Sequence, residues 1–95
     1  MSITIAGIEF ADHEYDARGD VLYTFVAGYS AGGLPPHGFS TDEGYGIEYD
    51  EHWNVIAMTL VNVKHLVERD GELRITWPDG HVSHDPAAAV LAPAT

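Results

Sequence analysis

Residues 45–62 read Tyr-Gly-Ile-Glu-Tyr-Asp-Glu-His-Trp-Asn-Val-Ile-Ala-Met-Thr-Leu-Val-Asn, and they carry the clearest structural signal in the chain. Over residues 45–50, apolar side chains alternate with small or acidic ones, and successive side chains of a strand point to opposite faces. Residues 55–61 are apolar on both alternating faces, which is typical of a central strand. The stretch therefore predicts a β-hairpin with a polar turn at its tip. The positions that we expect to face the core on the second strand are Ile56, Met58 and Leu60.

Similar patterns predict further antiparallel strands in the rest of the chain. These strands cover residues 2–6, 8–15, 21–27 and 73–77, and Ala6-Gly7 forms the bend between the first two. The 95 residues are expected to form a single domain. The predicted fold class is α+β, a mainly antiparallel sheet of about five to six strands with one or two short helices in the C-terminal third.

The segment after the central hairpin predicts a short helix over residues 63–69. Its apolar residues have i, i+3, i+4 spacing, Asn62 is suited to cap its start, and Gly71 is suited to end it. The alternative is a hairpin strand that turns at residues 70–71.

The end of the chain predicts a second short helix and a tail over residues 86–95. Asp85 is a capping residue, Pro86 is favoured at the first helical position, and helix-forming residues follow.

Residues 28–44 predict an exposed, mobile loop between strands. The segment contains five glycines and the Pro35-Pro36 pair, and proline cannot donate a hydrogen bond within a central strand. Loops of this length are either functional or loosely ordered, and both alternatives stay open.

The composition is acidic, with 15 Asp and Glu against four Lys and Arg, and the net charge is −11. Such a charge repels phosphate backbones, so we expect no direct binding to nucleic acid. An acidic surface suits a basic protein partner, or it serves only solubility. The chain has no cysteine, no apolar run that would span a membrane and no secretory signal, so we expect a soluble cytoplasmic protein without membrane contact.

Six histidines raise the question of a metal site, but their spacing does not predict converging ligands. The closest pair, His81 and His84, would face opposite ways on a strand. The Asp50-Glu51-His52 segment would suit acid–base chemistry only in a cleft that excludes water, and hydrogen bonding of Asp50 to its own turn is the simpler interpretation. We therefore predict no catalytic residues, no metal and no cofactor.

Trp53 is the one residue that we select as a candidate contact with a partner or with a second copy of the chain. It lies in a turn, where small or polar residues are expected. Its indole is either folded back over the sheet, against Tyr49, or presented to a partner.

The sequence resembles a known family in three segments. They are Tyr15-Asp16-x-x-x-Asp20-Val21-Leu22-Tyr23, Gly44-x-x-Ile47-x-Tyr49-Asp50, and Val55-Ile56-Ala57-Met58-Thr59-Leu60-Val61-Asn62. They are similar to the small bacterial proteins of domain-of-unknown-function family 2283. The likeness extends to Trp77-Pro78, and the chain departs from the family pattern at Trp53, where glycine is usual. The resemblance implies a small antiparallel domain with no established catalysis or cofactor, and some relatives resemble antitoxin partners of ribonuclease-like toxins.

These observations together predict a non-enzymatic module that binds a protein or itself. We expect a homodimer, because apolar residues lie on both sides of two strands and short helices cannot cover a whole sheet face. A basic, ribonuclease-like toxin is the heterologous partner that the resemblance implies. The alternative function is a small hydrolase or metal-dependent enzyme that uses His and Asp side chains.

Overall fold

The computed structural model describes residues 3–28 and 35–86. Within them the chain forms nine strands and one helix, with the bounds that follow. They are β1 (Ile3–Ile5), β2 (Ile8–Phe10), β3 (Asp12–Asp16), β4 (Val21–Phe25), β5 (His37–Ser40), β6 (Gly46–Tyr49), β7 (Val55–Val61), α1 (Val63–Asp70), β8 (Glu72–Thr76) and β9 (Val82–Pro86).

The strands form three antiparallel sheets. Five strands make the largest sheet in the order β3-β4-β7-β6-β5, and the hairpins β1–β2 and β8–β9 are separate two-stranded sheets. The predicted α+β class with a mainly antiparallel sheet is confirmed, with the helix in the C-terminal half. No helix in the described part of the chain is long and apolar enough to cross a membrane.

The core lies on one face of the five-stranded sheet. The two hairpins and α1 contribute the apolar side chains that cover this face. The buried residues of the cluster are Ile3, Ile5, Phe10, Leu22, Tyr45, Ile47, Tyr49, Met58, Leu60, Val63, Val67, Leu73, Ile75 and Trp77.

The predicted hairpin of residues 45–62 is present, but its alternation breaks near the turn. Met58 and Leu60 belong to the core cluster as expected, whereas Ile56 is buried outside that cluster. The cause is a β-bulge: Glu48 lies opposite Ala57, but Tyr49 lies opposite Val55, so β7 has one extra residue at this point. Val55, predicted for the opposite face, consequently packs against the core.

The predicted strand over residues 8–15 is two strands. Ala6 and Gly7 form the expected bend, with φ of 53° and 79°, and β2 pairs with β1. After a bend at Ala11 the chain enters β3, which pairs with β4 in the large sheet. A continuous pattern of apolar and polar residues could not show that its two halves pair with different neighbours.

The prediction of a loop over residues 28–44 is wrong for residues 37–40, whereas residues 41–44 form a turn as expected. His37–Ser40 form β5, with Phe39 opposite Ile47 on β6. Pro35 and Pro36 precede this strand, which lies at the edge of the sheet, where proline is tolerated. Residues 29–34 lie outside the described part of the chain.

The predicted helix after β7 is confirmed, and the alternative hairpin strand is not formed. Gly71 ends the helix in a left-handed conformation with φ of 77°, and its amide donates to the Val67 carbonyl. Asn62 is the N-cap residue, as predicted, but its side chain makes no capping hydrogen bond. The carboxylate of Asp20, in the β3–β4 turn, accepts hydrogen bonds from the amides of Lys64 and His65 instead, at 2.9 and 3.1 Å.

The predicted C-terminal helix is wrong at its first two positions, because Asp85 and Pro86 are the end of β9. Asp85 lies opposite Leu73 on β8, and its carboxylate accepts a hydrogen bond from the Ala6 amide at 2.9 Å. Side-chain pairing across two strands thus replaces the local capping that the sequence suggested. Residues 87–95, the rest of the predicted helix and tail, lie outside the described part of the chain.

Glu43 joins the β8–β9 hairpin to the large sheet. It lies in the turn between β5 and β6, and its carboxylate accepts hydrogen bonds from the amide and hydroxyl of Thr76 at 2.9 and 2.8 Å. The guanidinium of Arg74 lies 3.5 Å from the same carboxylate. Burial raises the pKa of Glu43, but the hydrogen bonds from Thr76 outweigh this effect and hold the pKa below its ordinary value. The contact brings the β8–β9 turn beside the outer edge of the sheet.

Candidate partner-binding cleft

The turn between β6 and β7 is held by Asp50. Its carboxylate accepts hydrogen bonds from the amides of His52 and Asn54, at 2.8 and 2.9 Å, and from the Asn54 side chain. The hydrogen bond from the Asn54 amide contributes most to lowering the pKa of Asp50. The interpretation of Asp50 as a residue that bonds its own turn is confirmed, and the neighbouring Glu51 and His52 are exposed.

Trp53 occupies this turn with a backbone conformation that favours glycine. Its φ is 63°, and its amide donates to the Asp50 carbonyl at 3.1 Å. A residue with a Cβ atom is disfavoured in the left-handed region by about 1–2 kcal/mol. The turn therefore keeps the geometry of a glycine turn, although a large aromatic residue stands there.

The indole of Trp53 packs against its own chain on one side. It stacks on the imidazole of His37, with ring centroids 3.8 Å apart and an interplanar angle of 9°. Its centroid lies 5.5 Å from that of Tyr49. Nevertheless, 61% of Trp53 is exposed, so a large part of the indole surface faces solvent.

The contact between Trp53 and Tyr49 is one of the two alternatives that the sequence left open. A role for Trp53 towards a partner stays a prediction. Sequence reasoning missed His37, which supports the indole, because residue 37 falls in a segment predicted to be a loop.

An open cleft of about 480 Å³ lies beside Trp53. Its walls come from β5, the end of β6, the β6–β7 turn and the β8–β9 turn. The side chains that define it are Phe39, Tyr49, Trp53, Trp77 and Pro78, with Asp79 and His81 beside them. Phe39 is 38% exposed, whereas Trp77 and Tyr49 are largely buried. The cleft is thus an aromatic surface formed by segments that are distant in sequence.

Trp77 is fixed in position from two sides. Its indole Nε1–H donates a hydrogen bond to the Ser83 hydroxyl at 3.0 Å. Its ring lies parallel to that of His81, with centroids 5.8 Å apart. A buried indole N–H needs a partner, and Ser83 supplies one, so this wall of the cleft is formed before any ligand arrives.

Asp79 gives the cleft a negative charge. Among the described residues that line the cleft, it is the one carboxylate, and none of them is Lys or Arg. The amide of His81 donates to the Asp79 carboxylate at 3.0 Å, and this hydrogen bond is the main cause of the lowered pKa of Asp79. Burial, followed by the charge of Asp79, raises the pKa of Tyr49. The ring Nδ1 of His81 also lies 2.5 Å from the Asp79 carboxylate. The described lining of the cleft therefore combines aromatic rings with one carboxylate that is in contact with an imidazole.

In the described part of the chain, histidines contact single acids but do not form a cluster of metal ligands. Among residues 3–28 and 35–86, no group of three or more His, Cys, Asp or Glu side chains is arranged to hold a metal ion. His81 contacts Asp79, and His84, on β9, contacts Glu72.

Comparisons with known proteins do not place the chain in a family: no family model, curated protein or solved structure gives a significant match. The resemblance to domain-of-unknown-function family 2283 accordingly stays a prediction.

Proposed function

We propose that this chain is a non-enzymatic protein-binding module, present in the cytoplasm, that binds a basic partner in the cleft beside Trp53. A toxin-like basic ribonuclease is the partner that the family resemblance implies, and the chain would then act as its antitoxin-like counterpart.

The single observation that carries this proposal is the conformation and exposure of Trp53. The residue stands in a glycine-type backbone conformation with φ of 63°, and 61% of it is exposed. Tryptophan is enriched among the interface residues that dominate binding energy. Strained positions persist where the surrounding structure enforces them, and they concentrate at functional sites.

The charge of the molecule supports a basic partner. The net charge is −11, and the described lining of the cleft contains Asp79 but no Lys or Arg. A positive partner would be attracted over long distances and would meet a complementary surface at the cleft. The same charge opposes direct binding to nucleic acid.

The experiment is a selection of random peptides displayed on phage, using the immobilised protein as bait. Phage that also bind the Trp53→Gly variant are removed, so that the remaining peptides depend on the indole. We expect enrichment of peptides rich in Lys and Arg, whose purified forms change the tryptophan fluorescence of the protein. Val82→Ser is the control, because Val82 is 43% exposed but does not line the cleft. Failure to enrich any peptide that depends on Trp53 would contradict the proposal.

A second candidate function is self-association as a homodimer, and the far face of the five-stranded sheet favours it. Tyr23 and Phe25 on β4 are half-buried, and cross-strand pairing places them next to Thr59 and Ala57 on β7. None of these four side chains belongs to the core cluster. A second copy is the occupant that we propose for this face, since a twofold interface needs only one self-complementary patch.

The enzymatic alternative receives less support. The Asp50 carboxylate is used by its own turn, and Asp79 holds the amide of His81. A hydrolase would need a base and a nucleophile held together in a site that excludes water.

A further inference from the structure

We propose that the group which the cleft receives is the side chain of an arginine from the partner, with its guanidinium against the exposed indole of Trp53 and its charge balanced by Asp79. This inference rests on the proposed function and specifies the chemistry that the cleft recognises.

The first argument is the combination of aromatic surface and negative charge. Trp53 and Trp77 line the same cleft as Asp79, and its apolar walls keep water away from part of the bound group. Cations are attracted to the faces of aromatic rings, most strongly to tryptophan. The amide and the ring Nδ1 of His81 both contact Oδ1 of Asp79, which leaves Oδ2 to accept a hydrogen bond from a guanidinium, whereas an anionic ligand would be repelled.

The second argument distinguishes arginine from lysine. A guanidinium is planar and weakly hydrated, so it stacks on an indole and loses little hydration energy, whereas an ammonium is compact and strongly hydrated. The cleft offers mainly aromatic and apolar surface, with one carboxylate. Such a surface compensates the desolvation of a guanidinium better than that of an ammonium.

The third argument is that the two aromatic walls are already in position. His37 supports the indole of Trp53 from one side, at a ring distance of 3.8 Å. Ser83 and His81 fix Trp77. Binding then costs little conformational entropy, because the side chains that form the walls are already ordered, and this favours affinity.

The size of the cleft fits this ligand. Its volume of about 480 Å³ lies within the range of small-ligand sites. The whole arginine side chain, with parts of its neighbouring residues, can be accommodated.

The test uses three synthetic pentapeptides, acetyl-Gly-Gly-X-Gly-Gly-amide, in which X is arginine, citrulline or lysine. Citrulline has nearly the shape of arginine and no charge. Binding is followed at low salt by the NMR shifts of the two indole N–H groups. We expect the arginine peptide to bind about tenfold more tightly than the citrulline peptide, and more tightly than the lysine peptide. Equal binding of arginine and citrulline, or of arginine and lysine, would overturn the inference.

Two variants remove the same charge at different places. Asp79→Asn should reduce the affinity for the arginine peptide several-fold, and it keeps an oxygen that can accept the His81 amide. Glu9→Gln is the matched control, because Glu9 is exposed on β2, which is not part of the five-stranded sheet and does not line the cleft. Equal losses in the two variants would mean that only the overall charge attracts the peptide, and the inference would be wrong.

The outcome separates this inference from the proposed function. If phage selection yields peptides that depend on Trp53 but contain no arginine, the cleft is a binding site and its arginine specificity is refuted. If selection yields no such peptides, both proposals fail.

Discussion

Asp20 is a single residue that connects three elements of the fold. It stands in a left-handed conformation with φ of 55°, and its carboxylate caps α1 across 44 residues of sequence. The same carboxylate accepts a hydrogen bond from the Tyr15 hydroxyl at 2.8 Å. Burial raises the pKa of Asp20, but the hydrogen bonds from Lys64, His65 and Tyr15 outweigh this effect and hold the pKa below 3.8.

The first prediction concerns the stability that the Asp20 carboxylate provides. Asp20→Ala should lower the free energy of unfolding by about 0.5–2 kcal/mol at pH 7, as for other lost helix caps. Asp20→Asn should cost less, because asparagine keeps an acceptor and tolerates the left-handed conformation. Urea denaturation of both variants measures these differences.

The pH dependence follows from the lowered pKa of Asp20. A carboxylate whose folded-state pKa is depressed stabilises the fold above its unfolded-state pKa, here 3.8, and loses this contribution as pH falls through the folded-state pKa. The difference between wild type and Asp20→Asn should therefore be constant near neutrality and shrink below pH 3.8. Asp16→Asn is the control, because the Asp16 carboxylate accepts a hydrogen bond from the Arg18 amide within its own turn, whereas Asp20 accepts hydrogen bonds from α1. A difference that stays unchanged at low pH would contradict the capping role of the charge.

The second prediction separates stability from binding at Trp53. Trp53→Gly removes the stacking on His37 but relieves the left-handed backbone, with φ of 63°. Aromatic pairs contribute about 0.5–1.5 kcal/mol and the backbone relief about 1–2 kcal/mol, so the two effects nearly cancel. We expect the free energy of unfolding to stay within about 1 kcal/mol of wild type. A loss above about 3 kcal/mol, of the size seen for truncated core aromatics, would make Trp53 a core residue and remove the main support for the proposed function.

At the scale of the elements, β7 is the strand on which the sheet depends. It lies at the centre of the five-stranded sheet between β4 and β6, and Met58 is fully buried there. Met58 lies opposite Thr24 on one side and Ile47 on the other. The Thr24 hydroxyl donates to the Met58 carbonyl at 3.2 Å, so a polar side chain at a buried position is satisfied by the strand next to it.

The third prediction compares Met58 with a half-buried residue on the neighbouring strand. Met58→Ala should lower the free energy of unfolding by about 2–5 kcal/mol, because a cavity remains in a packed core. Glu48→Ala, on β6, should change it by roughly 0.5 kcal/mol or less. Chemical denaturation gives both values, and the opposite ranking would show that the two faces of the hairpin are wrongly assigned.

Elements with a strong local pattern could be predicted from the sequence, and those stabilised by distant partners could not. The strand over residues 55–61 and the helix with Gly71 at its end follow from local periodicity and backbone preference. β5 and β9 depend on pairing with β6 and β8, and their own sequences contain glycine, proline and charged residues that favour loops and helix starts. Trp53 could be selected as a candidate because it departs from turn chemistry, but the cleft needs segments that only the tertiary structure brings together.

At the scale of the whole molecule, the uneven covering of the large sheet is the main feature still to be explained. One face carries the core, and the other presents Tyr23 and Phe25 with acids beside them. In the antiparallel pairing, Glu14 lies opposite Tyr23 and Asp12 lies opposite Phe25. An apolar centre with an acidic border favours association through its centre and opposes association of two identical copies at its border.

The last prediction is that this balance makes the homodimer dependent on salt. Salt screens the repulsion between exposed like charges: the Debye length, beyond which the repulsion is largely lost, falls from about 10 Å at 0.1 M to about 3 Å at 1 M salt. Salt does not weaken the burial of apolar surface. Dimerisation through the far face should therefore strengthen as sodium chloride is raised, whereas binding of a basic partner in the cleft should weaken. Sedimentation at micromolar concentration and at two salt concentrations measures the first effect.

Tyr23→Ser should weaken the dimer if the sheet face forms the interface, and Trp53→Gly should weaken it if the indole is the anchor. A mass of 10.3 kDa under both conditions would contradict self-association.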